Sequence, residues 1–137
     1  MDPALQAYMT GLPIFLFHGT LALLLWSAGI GIYVLLTPHN EFKLVREGNV
    51  AAGLTLGAAA LGIAIPMAAT LSTSHSILDL VIWGATSLIL QLAAFRAVDL
   101  LVKDLSSRIT KGEMAAAVVL TGIKLGTALI TSAALMG

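Results

Sequence analysis

The chain has no cysteine, which excludes a disulfide framework, an iron–sulfur centre and thiolate zinc binding. Charge is almost as scarce. Asp, Glu, Lys and Arg make up 10% of the 137 residues, against about 25% in a soluble domain. Seven basic and seven acidic residues cancel, so the chain has neither the basic field of a nucleic-acid binder nor the high charge of a disordered segment. The opening Met1-Asp2-Pro3-Ala4 lacks the basic region of a cleaved signal peptide. The first apolar block is too long for a signal core and reads as a retained span. So few polar residues also cannot cover the surface of a soluble enzyme.

What the chain has is apolar blocks: 58% of its residues are hydrophobic and the mean hydropathy is +0.98. A bilayer core roughly 30 Å thick needs about 20 apolar residues of helix. Four segments meet that length, 13–36, 50–71, 77–101 and 114–136. Strand alternation is missing, so a barrel is excluded and helices are the remaining way to cross. The expected fold is therefore an all-α integral membrane protein with four transmembrane helices. Pro13 suits the first turn of span one, Pro38 follows that span, and Pro66 inside span two is expected to kink it.

The basic residues set the expected orientation. Lys43 and Arg46 separate spans one and two, and Lys103, Arg108 and Lys111 separate spans three and four. The N-terminal tail, the 72–76 link and the C-terminus carry no Lys or Arg. Both basic loops are expected in the cytoplasm and both termini outside it. Arg96 sits close enough to the cytoplasmic end of span three to snorkel, with Asp99 on the same helical face. Tyr8 and Trp83 fit the outer interface, Tyr33 and Phe42 the inner one, and Trp26 the core.

A shift of 64 positions lays Gly48-Asn49-Val50-Ala51-Ala52 on Gly112-Glu113-Met114-Ala115-Ala116, with further matches at Leu61/Leu125 and Gly62/Gly126. Span and loop lengths correspond as well. The chain reads as one membrane domain, 1–137, made of two parallel hairpin repeats at about 12–73 and 76–137. In the first loop Thr37 is expected to cap a short helix starting at Pro38, with Phe42 and Val45 on one face. The second loop pairs Leu105 with Ile109. Both loops read as short amphipathic helices on the inner leaflet. His39, Asn40, Glu41, Lys43, Arg46, Arg108 and Lys111 form the candidate recognition set for lipid or a partner, the alternative being ordinary positively charged loops. Gly53, Gly57, Gly62, Gly122 and Gly126 stand at small-x-x-x-small spacings that let helices approach closely in lipid. They suit packing within the chain or against another subunit.

The run Thr37-Pro38-His39-Asn40-Glu41-Phe42-Lys43-Leu44, with Asn49-x-Ala51-Ala52, Leu61-Gly62-x-x-Ile65-Pro66, Trp83-Gly84 and Gln91-Leu92, resembles the YjfL-type family of small bacterial inner-membrane proteins. The resemblance covers nearly the whole chain. It implies a duplicated two-span unit and residence in the inner membrane, and no established activity. Near the middle of the last span that family has mostly small or apolar residues, where this chain has Lys124.

Lys124 is about ten residues into span four, where a lysine costs roughly 2.5–3.5 kcal/mol unless it is partnered or hydrated. Gln91 lies at similar depth on span three, so a hydrogen bond from the Lys124 ammonium to the Gln91 carbonyl is expected, with no acidic residue at that level. One reading places these two on an ion path; the other is a lysine satisfied within the bundle. His18, near the outer end of span one, can approach His75, but two histidines without a carboxylate make a poor metal site. No catalytic, cofactor or metal residues converge, and an enzyme is not expected. The leading expectation is a structural or accessory subunit, oligomeric or part of a larger assembly. The alternative is a channel- or transporter-like protein using Lys124 and Gln91.

Overall fold

The computed structural model describes every residue except Pro38 and His39. His39 of the candidate recognition set, and the expected helix start at Pro38, therefore lie outside the described residues. Among the described residues the chain forms helices and no strand: α1 (Pro3–Leu36), α2 (Glu41–Arg46), α3 (Val50–Thr73), α4 (Ile77–Leu101), α5 (Lys103–Thr110) and α6 (Met114–Met136). Four of them, α1, α3, α4 and α6, are long and apolar enough to cross a membrane. The protein is an all-α integral membrane protein.

Local chemistry explains where the helices begin. Asn49 accepts from the Ala52 amide at 3.0 Å and opens α3, and Ser76 accepts from the Asp79 amide at 3.1 Å and opens α4. These side chains satisfy amides that the first helical turn leaves orphaned. The start of α1 differs from expectation by ten residues. Asp2 caps the Ala4 amide at 2.7 Å with Pro3 in the first turn, so the helix is under way before it reaches Pro13. Proline there withholds one amide from the Met9 carbonyl, at an exposed position. Thr37 is also not the cap expected of it. Its hydroxyl donates to the Tyr33 carbonyl at 2.7 Å, while Asn40 caps α2 by accepting from the Lys43 amide at 3.0 Å.

The turns from α2 into α3 and from α5 into α6 are built alike. Gly48 and Gly112 have φ of 86° and 84°, a left-handed conformation in which a Cβ is strained. In each turn the following amide reaches five residues back, Asn49 to Leu44 and Glu113 to Arg108, which closes a helix end in the Schellman manner.

α3 is the central helix. Its first turns lie beside those of α6, so these two run parallel. Ala51 and Ala52 pack with Ala116, Ala117 and Leu120, over Ile109 of α5. On its other side Ala59, Ile63 and Met67 pack with Ala22 and Tyr33 of α1 and with Leu88, Leu92 and Phe95 of α4. The ends carrying α2 and α5 form a loop end; the α3–α4 turn and both chain termini form a terminal end.

Within the chain, the glycine spacing serves close packing at one position. A Cβ built on Gly62 falls 2.6 Å from Cζ of Phe95, so Gly62 is a true close-approach site. Gly57, Gly122 and Gly126 have open space around such a Cβ, and Gly53 meets one Val45 methyl at 3.9 Å. The inward faces of α3 and α6 are lined by alanine instead, and the glycines of the repeated spacing fall on other faces. Gly29 and Gly84, which the spacing did not single out, lie against Leu88 and Leu25.

Candidate functional site: a buried lysine–tyrosine–glutamate chain

The largest polar investment in the bundle centres on Lys124, which is 1% exposed. A helical side chain leans toward the N-terminus of its own helix. For α6 that direction is the loop end. The long stem therefore carries the ammonium from mid-helix toward the last turn of α1, where Nζ donates to the hydroxyl of Tyr33. Tyr33 in turn donates to Glu41 Oε1 at 3.0 Å. Tyr33 and Glu41 are 2% and 1% exposed. Three elements, α6, α1 and α2, thus supply one continuous hydrogen-bonded chain.

Aromatic rings enclose the ammonium. Nζ lies 4.5 Å from the centroid of the Tyr33 ring and 5.4 Å from that of Phe95, within cation–π range. The two rings meet edge to face, with centroids 5.9 Å apart and planes at 81°. Phe95 is held there because Gly62 leaves room for its tip. Asp99, one turn further along α4 and also buried, acts electrostatically on both Lys124 and Tyr33, as does Glu41.

This geometry corrects three expectations. Lys124 does not bond Gln91. The two residues are at equal depth along their helices, but α4 and α6 run in opposite directions, so their side chains lean apart. Phe95 fills the level between them. The Gln91 carboxamide is fully buried and neither of its polar atoms has a partner among the described residues. Glu41 belongs to the interior and not to an exposed recognition surface: α2 turns its acid inward, while Phe42 and Val45 stay exposed. An acidic group is therefore available to the lysine after all, delivered from the loop. Tyr33, read as an interfacial aromatic, is the hinge of the chain.

The other candidates are dispersed. Lys43, Arg46 and Lys111 are exposed at the loop end, and Asn40 serves as a helix cap. Arg108 pairs with Glu113 and lies 3.9 Å from Asp104. The hydrogen bond from Arg108 to Glu113 and their mutual attraction raise the guanidinium above its ordinary pKa. Arg96 reaches the Leu36 carbonyl at 3.4 Å, at the C-terminus of α1. Asn49, which the sequence places in the repeat and in the family-like motif, ties the two loops together by donating to the carbonyls of Ile109 at 3.0 Å and Thr110 at 3.2 Å. His18 donates from Nδ1 to the Ile14 carbonyl at 2.9 Å and shares a hollow of about 270 Å³ with His75. Among the described residues no cluster of three or more His, Cys, Asp or Glu has the geometry of a metal site.

The profile of the family described as Domain of Unknown Function (DUF350) matches residues 7–135. Two curated relatives, the "UPF0719 inner membrane protein YjfL" of Escherichia coli strain K12 and that of Escherichia coli O157:H7, are each 37% identical over 97 residues. Those residues are 71% of this chain and 70% of each relative. No solved structure matches the chain significantly. The match spans all four membrane helices and includes Tyr33, Glu41, Asp99 and Lys124 within its bounds. The chain is a multi-pass membrane protein and belongs to the DUF350 family.

Proposed function

We propose that this protein is a small proton-handling channel- or transporter-like protein of the bacterial inner membrane, with the Lys124–Tyr33–Glu41 chain as its membrane-embedded site. The residence follows the printed description of the Escherichia coli relatives as inner membrane proteins. The loop end, with its Lys and Arg, is taken to face the cytoplasm.

One observation carries the proposal: an amine and a carboxyl buried among apolar helices are joined through a hydroxyl that both accepts and donates. Such a chain has two arrangements of its protons. In one, Lys124 is an ammonium and Glu41 a carboxylate. In the other, Lys124 gives a proton to the Tyr33 oxygen while Tyr33 gives its own to Glu41, and both end groups become neutral. The hydroxyl passes the proton without moving any heavy atom. An ionisable group held inside a membrane bundle is by default a candidate for ion or proton movement. Asp99 connects this site to the loop-end surface, and the polar stripe Ser87–Gln91 on α4 lies on its other side, beyond Phe95.

The test uses the full chain in liposomes loaded with a pH-sensitive dye. An imposed pH step should collapse faster with the wild-type protein than in protein-free vesicles. Tyr33→Phe, which keeps the ring and removes the hydroxyl, should lower that rate at least tenfold while inserting normally. Equal rates for wild type and Tyr33→Phe, or no rate above empty vesicles, would overturn the proposal.

A second reading has an observation of its own. Only 17% of the most apolar 18-residue window of α1 is buried within the chain, which suits an accessory or scaffold subunit whose α1 packs on another protein or a second copy. Gentle extraction into nanodiscs and the mass of the native complex test it. A monomer with nothing bound would end that reading. For a partner held at the loop end, replacing Lys43, Arg46, Arg108 and Lys111 by Gln should release it.

A further inference from the structure

At the loop end, α4 and α5 enclose a hollow of about 420 Å³ lined by Arg96, Asp99, Leu100, Lys103, Ser106, Ser107 and Thr110. It adjoins the hydrogen-bonded chain through Asp99, but binding there does not depend on that chain's function. Two cationic groups and two hydroxyls, those of Ser107 and Thr110, lie at or near its surface; Asp99 and Ser106 are buried in its wall. Cations combined with hydroxyl donors are the groups that hold a phosphate, and guanidinium and ammonium together outweigh the single carboxylate.

Where the hollow opens decides between a soluble phosphate compound and a lipid. Arg96 is on the last two turns of a membrane-spanning helix, and Lys103 begins the helix that follows it. Directly beside them α4 presents Leu90, Ala93, Ala97 and Leu100, spaced three, four and three residues apart and all exposed. That spacing makes one apolar strip, which runs from the hollow down the span. A headgroup at Arg96 and Lys103 would lay its chains along this strip. The geometry points to a specific site for the phosphodiester of an anionic phospholipid, held by Arg96 and Lys103 with Ser107, its acyl chains on the exposed face of α4.

The probe is dioleoylphosphatidylglycerol, mixed equally with dioleoylphosphatidylcholine in nanodiscs holding the full-length protein; native mass spectrometry after release reads which lipid stays bound. The wild type should retain phosphatidylglycerol about tenfold over phosphatidylcholine. Arg96→Gln with Lys103→Gln should bring that ratio close to one, whereas Lys43→Gln with Arg46→Gln on α2 should leave it unchanged. Ser107→Glu supplies a second variant at an exposed position, and its added negative charge should likewise abolish the preference even if the double variant folds poorly. Equal loss in both Arg/Lys pairs would mean diffuse surface charge and would overturn the site. So would a wild-type ratio near one. Displacement of the lipid by millimolar glycerol phosphate would assign the hollow to a soluble phosphate compound and overturn the lipid reading.

Discussion

Removing the charge of Glu41 isolates the energetics of the buried chain. In Glu41→Gln the carboxamide oxygen can still accept from Tyr33, so the hydrogen bond persists and only the negative charge is lost. The Lys124 ammonium, 1% exposed, then keeps its hydroxyl partner and loses the carboxylate behind it. Breaking a buried ion pair by removing one member costs roughly 3–5 kcal/mol, and an unpartnered lysine at mid-bilayer roughly 2.5–3.5 kcal/mol. A neutral lysine sets a ceiling, since releasing its proton at pH 7 costs about 4.6 kcal/mol from its solution value. Asp99 remains nearby and moderates the loss, so about 3 kcal/mol is expected. For a domain of this size that lowers the Tm by about 10 °C. Lys124→Met removes the cation itself and leaves Tyr33 bonded to Glu41, so it should change stability by only about 1 kcal/mol. The double variant should then lose only about 1 kcal/mol, close to Lys124→Met, where additivity would give about 4 kcal/mol, a coupling of about 3 kcal/mol. Thermal unfolding in detergent, followed by circular dichroism, measures all four proteins. Strict additivity would refute the electrostatic link between Lys124 and Glu41, whatever the single effects are.

Gly62→Ala places a methyl 2.6 Å from the Phe95 ring and should cost about 1–3 kcal/mol by overpacking, with Gly57→Ala, which meets open space, gaining up to about 1 kcal/mol from helix propensity; equal effects in the same unfolding assay would mean that Phe95 is not seated on α3. Asn49→Ala removes a helix cap and two bonds to the α5 carbonyls and should lower stability by about 2 kcal/mol, a loss that unfolding midpoints would show and an unchanged midpoint would deny. Because Glu113 raises Arg108 above an ordinary value that is already high, the guanidinium stays charged through the neutral range, and as pH rises its contribution to the pair is lost only under strongly alkaline conditions. Amide protection in the turn into α6 should therefore be the same at pH 6 and pH 9 after correction for intrinsic exchange; a drop between them would mean that another group holds the turn.

The membrane helices were largely legible because their signal is long and additive. The starts of α3, α4 and α6 at Val50, Ile77 and Met114 coincide with the apolar blocks. The start of α1 was ambiguous because Pro13 and Pro3 both suit a first turn; Asp2, a capping residue directly before Pro3, marks the earlier one as the true start. The site was half legible. Lys124 stood out by its cost in lipid, but its partner could not be found by matching depths. Equal depth on antiparallel helices is the wrong criterion when long side chains lean toward their own N-termini. Matching α6 to the loop-end turns of α1 leads instead to Tyr33. Glu41 was illegible for another reason: a six-residue helix carries too little periodicity to say which face turns inward, and its acid turns toward the buried Tyr33 hydroxyl from which it accepts.

The length of α1 has a mechanical consequence. Its 34 residues exceed those of α3, α4 and α6 by about ten, and at 1.5 Å per residue the helix is roughly 51 Å long, some 15 Å more than its neighbours. The excess is at the terminal end, since its other end stops level with the turns of the loop end. Pro13, which leaves one helical carbonyl without its amide, divides α1 into a short projecting arm and a longer arm within the bundle, joined at the usual place for a kink. The projecting arm begins at the Asp2 cap and the longer arm carries Tyr33. A change in bilayer thickness felt by the first three turns is therefore met first at Pro13, more than two turns before the bundle core begins at Ala22 and well short of Tyr33.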